Sequence, residues 1–286
     1  MSNENIESPS ILSEYYRQPE IYITLPSKGQ FYPEGTLEQS ATGEIPVYPM
    51  TAKDDIIIKT PDALISGEAI VQIVSSCIPA IKDPWQMPAS DVDFVLIAIR
   101  IASYGNEMEM ELTCEKCEEE HNISINLNHY IEQLNTVPLN HEQTTITYGE
   151  VQIHLKPLSY HELSLLQRKT FEEQKVLDAA NNVEEMSESE REEMYARVLA
   201  NMTEINISTV TSGVQGIELP DGTIVVDKQE IIKFVNNSSV RVFKKITETM
   251  EQIRDKSAID PADVVCPKCN NTSLLPIIFD YSSFFV

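Results

Sequence analysis

Four of the chain's five cysteines form two Cys-x-x-Cys pairs, Cys114/Cys117 and Cys266/Cys269, separated by 148 residues. This spacing constrains the fold more than any other feature. Two thiolates two residues apart on a tight turn supply half of a tetrahedral zinc shell, and a second such turn completes it. If all four cysteines hold one Zn2+, the middle of the chain must lie against its last strand however the intervening residues fold. The contexts of the pairs agree. Each holds a lysine between its cysteines, Glu115-Lys116 in one and Pro267-Lys268 in the other, and each is followed by a polar turn and then a strand-like run. The pattern predicts a four-cysteine zinc ribbon split by a long insertion. With cysteine at every position no coordination site is left open for water, so the expected role of the ion is structural. Redox-active pairs and metal-free reduced thiols are the alternatives. The redox reading lacks the buried strand before and the helix after that a thioredoxin-like motif requires.

Hydrophobic periodicity fills in the rest. Residues 1–20 are polar and aperiodic and read as a flexible arm. Ile21–Leu25 and Ile45–Tyr48 read as short strands around a turn-rich segment at Pro26–Gly35. An apolar run to Cys77 predicts one helix. A second spans Ala89 or Ser90 to Tyr104, with Val92, Val95, Leu96, Ile99 and Ala102 as its buried stripe and Gly105 as its cap. Residues 107–128 predict a hairpin carrying the first cysteine knuckle. Thr144–Tyr148 and Val151–Leu155 flank a Gly149-Glu150 turn, and Ile217–Val226 carries an Asp221-Gly222 turn on a hairpin expected to protrude. Helices are expected over Ser159 to about Val210, broken near Asn181-Asn182, then from Asp227 and from Ser238 or Ser239. Leu274–Phe279 reads as the last strand. The fold class expected is α+β, with an N-terminal region at 21–135, hairpins and a mainly helical insertion at 136–259, and the closing knuckle and strand at 260–286.

Charge and missing motifs exclude several functions. Lys+Arg total 21 against 45 Asp+Glu, a net charge of −24, which disfavours a nucleic-acid partner. The longest apolar stretch, Phe94–Ile99, is far below the roughly 20 residues a membrane helix needs. The amino terminus shows no secretory pattern, so a cytosolic protein without membrane insertion is expected. Phosphate-loop, dinucleotide-binding and nucleophile-elbow motifs are missing, and adjacent acids such as Asp54-Asp55 read as solvated faces. Neither an enzyme nor a small-molecule substrate is expected. Cys77, within Ile73–Ile78, reads as a small buried residue rather than a nucleophile. Histidines 121, 129, 141, 154 and 161 have no metal-binding spacing, although His121 is an alternative ligand to one thiolate.

Several unusual segments occur in a fixed order: Leu25-Pro-Ser-Lys-Gly-Gln-Phe-Tyr-Pro33, Val47-Tyr-Pro-Met-Thr-Ala-Lys-Asp-Asp55, Lys59-Thr-Pro-Asp-Ala-Leu64, Cys77-Ile-Pro-Ala-Ile-Lys-Asp-Pro-Trp85, Ile99-Arg-Ile-Ala-Ser-Tyr-Gly105 and the first Cys-x-x-Cys. Over residues 20–130 the chain resembles the baseplate hub subunit or hub assembly family of T-even-like contractile-tailed bacteriophages. The resemblance implies a non-enzymatic component that assembles with other hub proteins. It would be made in the host bacterial cytoplasm, with the virion tail baseplate as a possible destination. Its partner-binding candidates are Phe31 and Tyr32 in the turn segment, with a purely structural turn as the alternative, and Phe284 and Phe285 in the aromatic tail, since exposed aromatics anchor interfaces, with packing of the tail against the ribbon as the alternative. The rival reading is a zinc-ribbon adaptor of a phage or host transcription or replication complex. Such an adaptor can bind a polymerase without touching DNA.

Overall fold

The computed structural model describes residues 12, 15–60, 66–135, 144–182, 187–275 and 284–285. Ile21–Thr24 (β1) pairs antiparallel with Glu44–Val47 (β2), Ile23 facing Ile45. The period-2 alternation turns Ile23, Ile45 and Val47 into the core. The loop between the strands takes left-handed backbone at Lys28, Gly29 and Phe31, and its Ser27 and Tyr32 hydrogen-bond to Asp91. Ala52–Ile58 (α1) opens on a capping box in which Thr51 and Asp54 satisfy each other's backbone N–H groups. The expected arm is shorter than 20 residues. Arg17 is fixed, its Nη2 donating to the Ser76 carbonyl at 2.7 Å and to Ser76 Oγ at 2.8 Å, with Asp54 at 3.6 Å.

Glu68–Cys77 (α2) and Ala89–Tyr104 (α3) form the centre of the first core, and the prolines between them end one helix before the other begins. Cys77 is buried there as a free thiol, pushed up to about 12 chiefly by burial, with the nearby Asp54 carboxylate adding to the shift. The expected single stripe on α3 is too narrow. Phe94 through Arg100 are all buried, so the helix is encased on every side. Gly105 ends it in left-handed backbone as expected. Phe94, fully buried, is a residue whose truncation to alanine costs about 3–5 kcal/mol.

Glu107–Thr113 (β3) and Glu120–Asn126 (β4) form the predicted hairpin, with Met108 and Ile125 paired and both buried. Asn128–Asn135 (α4) follows, a helix the sequence reading did not anticipate, and buries Tyr130 and Leu134 in the first core. Thr145–Tyr148 (β5) and Val151–Leu155 (β6) close on the two-residue Gly149-Glu150 turn, Tyr148 opposite Val151. Tyr160–Asn182 (α5) and Glu188–Gly213 (α6) are long paired helices, and α6 starts on a Ser187/Glu190 capping box. Val214–Glu218 (β7) and Ile224–Val225 (β8) form the third hairpin. It does not protrude. β7 pairs with β6, giving an antiparallel sheet in the order β5-β6-β7-β8, because Ile217 finds cover opposite Ile153.

Lys228–Asn237 (α7), capped by Asp227, and Val240–Lys256 (α8) cover that sheet. Ile231, Val235, Val242, Ile246 and Ile253 pack with Ile146, Ile153 and Ile217 as a second core. Ala262–Val265 (β9) and Thr272–Leu275 (β10) form the last hairpin. β10 includes Leu274 and Leu275, the first two residues of the expected last strand, and the rest of it, Pro276–Phe279, lies outside the described residues. The architecture is mixed helix and sheet, with every strand pair antiparallel.

Candidate metal centre

The two cysteine pairs occupy equivalent places on two hairpins. Thr113 pairs with Glu120 across the six residues of the first knuckle, and Val265 pairs with Thr272 across the six of the second. Their backbones repeat each other. Cys114 N–H donates to the Glu119 carbonyl and Cys266 N–H to that of Asn271, both at 2.9 Å. Glu118 N–H returns to the Cys114 carbonyl and Asn270 N–H to that of Cys266. The residue after the second cysteine, Glu118 or Asn270, turns the chain through left-handed backbone with φ 54° in both.

This repetition brings four thiols together. Cys114 Sγ lies 3.7 Å from Cys269 Sγ, Cys117 Sγ lies 3.6 Å from Cys266 Sγ, and all four sulfurs fall within 4.8 Å of one another. A tetrahedral ion with metal–sulfur distances of about 2.3 Å sets its sulfurs ~3.8 Å apart, so the donor set and its spacing suit a divalent soft-acceptor metal. All four cysteines are unbridged. His121, the alternative ligand, lies on β4 outside the cluster, its Nδ1 facing the Glu119 carbonyl at 3.4 Å.

Electrostatics favour the ligand form at one corner. The backbone N–H groups of Lys116 and Cys117 point at the Cys114 sulfur and lower its thiol to about 6. At Cys117 the Glu119 N–H acts in the same direction, but desolvation and the neighbouring thiols outweigh it and push that thiol up to about 12. A bound cation removes this conflict between adjacent thiolates. Lys268 of the second knuckle pairs with Glu119 of the first, tying the turns together at the surface.

The partner-binding candidates occupy other places. Tyr32 packs on the first core and Phe31 on the second, so the turn segment bridges the two. Tyr32 Oη donates at 3.2 Å to Asp91, a buried carboxylate at the start of α3 that also accepts the Ser27 N–H and hydroxyl. Burial pushes Asp91 up to about 6 despite these donors, and raises the Tyr32 phenol well above its ordinary value. Phe284 and Phe285 follow the packed alternative. They are only 4% and 1% exposed, packed edge to face at 5.0 Å, and Arg100 Nε on α3 donates to the Phe284 carbonyl at 3.0 Å. Apolar rings next to a buried α3 gain more from the core than from solvent, so neither stands ready as an exposed anchor. Sequence reading missed the Ser27/Asp91/Tyr32 network and Arg100. The available signal was an acid and a base inside an otherwise apolar helix, where each must find partners.

The described residues define a class: a mixed helix-and-sheet scaffold whose middle and end are drawn together by four thiols. No helix among them is long and apolar enough to cross a membrane. The profile of the family described as T4 bacteriophage base plate protein matches residues 18–286, and the chain belongs to that family. It is a structural component of the phage baseplate and so of the virion tail. Comparison with curated proteins and with solved structures gave no match.

Proposed function

We propose that this chain is a non-enzymatic assembly component of the baseplate hub, held closed by a structural Zn2+ on Cys114, Cys117, Cys266 and Cys269. The observation that carries the reading is the meeting of two knuckles from places 148 residues apart in a chain of the baseplate family. A closed four-thiolate shell fixes loops without offering a position for substrate. The ion supplies cross-linking, and the residues do the rest: the hairpins aim the thiols, and Lys268 and Glu119 join the turns at their rim. The absence of nucleotide-binding and hydrolase motifs supports a binding role. The partners are other hub proteins, met in the host bacterial cytoplasm before the tail is complete. The segment Leu25–Pro33, with its backbone fixed by Asp91, is one surface they would meet. Family membership leaves the polymerase-adaptor reading without support.

Native mass spectrometry of the full chain, alone and mixed with purified hub subunits, tests both halves. One zinc per chain and a complex of fixed stoichiometry are expected. A metal-free monomer that binds no tail protein overturns the proposal. Phe31→Ala alone should weaken the complex with zinc content unchanged. Tyr32→Ala is a poorer probe of that surface because it also strips a donor from Asp91.

A further inference from the structure

A cleft of about 860 Å³ lies where the first core meets the second, between the start of α3 and the helices α5, α6 and α8. Apolar side chains including Val92, Leu163 and Val210 form part of its wall. Its polar lining is poorly satisfied on the α3 side. Ser90 is 8% exposed, and its hydroxyl has no hydrogen-bond partner. Asp93, one turn further along the same helix, has neither a hydrogen bond nor an ion pair among the described residues, and burial pushes its carboxyl up to about 6. At neutral pH it is still mostly ionised. Both cations lining the cleft are already engaged: Lys156 with Glu162 at 3.0 Å and Arg254 with Asp255 at 3.0 Å. Glu251, the other acid in the lining, stands exposed at the rim, where solvent screens its charge. A half-buried carboxylate and a buried hydroxyl without partners are costly to keep unpaired.

We infer that this cleft receives a basic side chain, arginine or lysine, carried on an apolar segment of a neighbouring baseplate subunit, with its charge on Asp93 and a donor on Ser90. Charge complementarity selects the occupant. Asp93 meets no cation of its own chain among the described residues, within a chain of net charge −24, so a cation gains both the local pair and the surrounding field. A guanidinium also brings several donors in one plane, enough to serve the carboxylate and the hydroxyl together. The choice of a tail protein as the source rests on family membership. It requires neither the zinc centre nor the hub assignment.

The test uses the full chain and three fluorescent peptides: acetyl-Leu-Arg-Leu-amide and its citrulline and glutamate counterparts. Citrulline keeps the shape of arginine and removes its charge. Saturable binding of the arginine peptide in the millimolar range is expected, about tenfold tighter than citrulline, with no binding of the glutamate peptide. Asp93→Asn should weaken the arginine peptide about tenfold, whereas Glu251→Gln, an exposed rim change, should alter it by less than about twofold. An unchanged circular dichroism spectrum and zinc content show that Asp93→Asn is folded. Equal affinity for arginine and citrulline overturns the inference. So does an unchanged affinity in Asp93→Asn, an equal loss in both variants, or no saturable binding at all. None of these results bears on zinc occupancy or hub complexes, so failure here is distinguishable from failure of the proposed function.

Discussion

The two cysteine knuckles share one backbone conformation but rest on different foundations. The first crowns a hairpin of seven-residue strands whose inner face delivers Met108 and Ile125 to the first core. The second crowns four-residue strands in which Val264 is buried while Val265 and Leu274 stand 56% and 65% exposed. A two-stranded ribbon with so little buried apolar surface is marginal in water. The first knuckle is positioned by a broad packed face, and the second by Ala262 and Leu275 at the far end of its strands together with the thiols it meets.

This asymmetry is most severely tested by removing the Zn2+ proposed for the thiol cluster. Under that proposal chelation forfeits a binding energy on the order of 10 kcal/mol, since metal affinity is spent on folding, and Cys269→Ser, which leaves three thiols, forfeits part of it. Amide hydrogen exchange should then rise sharply across residues 260–275 and much less across 107–126. Equal loosening of both hairpins would show that the first is metal-dependent as well. Next in size is Ile125→Ala, expected to cost about 2–5 kcal/mol in denaturant unfolding because it opens a cavity beneath the first knuckle. The matching change Val264→Ala should cost less, about 1 kcal/mol, because the small second hairpin can relax around it.

The core beneath the first knuckle also carries a pH signature. Asp91 rises from 3.8 to about 6 on folding. A raised carboxyl pKa contributes stability that is fully present below about pH 4 and is lost as pH rises through 6, on the order of 3 kcal/mol for so deeply buried a group. Asp93 shifts in the same direction, to about 6, but its partial exposure calls for a smaller effect. Denaturant titrations at pH 4 and pH 7 should therefore show Asp91→Asn gaining on the wild type with rising pH, and Asp93→Asn gaining less. A constant difference for Asp91→Asn would mean that the carboxyl is not buried in the folded protein. The smallest effect concerns the knuckle turns themselves. Asn270 suits its left-handed backbone and Glu118 does not, so Glu118→Asn should stabilise the protein by about 0.5–1 kcal/mol, read as a rise in melting temperature. The reciprocal Asn270→Glu should cost a similar amount.

What the sequence disclosed follows the range of the interactions involved. Local signals read well: the Gly149-Glu150 turn, the Ser187 and Asp227 caps and the Gly105 stop are each decided by neighbouring residues. The thiol cluster was legible across 148 residues because ligand chemistry demands a fixed number of donors. Pairing between distant segments was not. Nothing within Ile217–Val226 says that β6 waits to cover Ile217, so the hairpin was expected to stand alone. The aromatic tail was ambiguous in a similar way, since Phe284 and Phe285 are equally suited to a partner or to packing within the chain, and their burial beside Arg100 answers to the packed alternative. Asp91 and Tyr32 lie 59 residues apart, and neither carries a local sign of the other.

The placement of the knuckles also sets an order of events during synthesis. Cys114 and Cys117 leave the ribosome with their hairpin and most of the first core, yet Cys266 and Cys269 follow only after 148 further residues. At roughly 5–20 residues per second this is an interval of about 7–30 s in which only half of the thiol set exists. A chain cut short anywhere before Cys266 never completes the set, and Phe284 never reaches Arg100. The cluster thus works as a check on translation: only a chain synthesised past Cys269 can close.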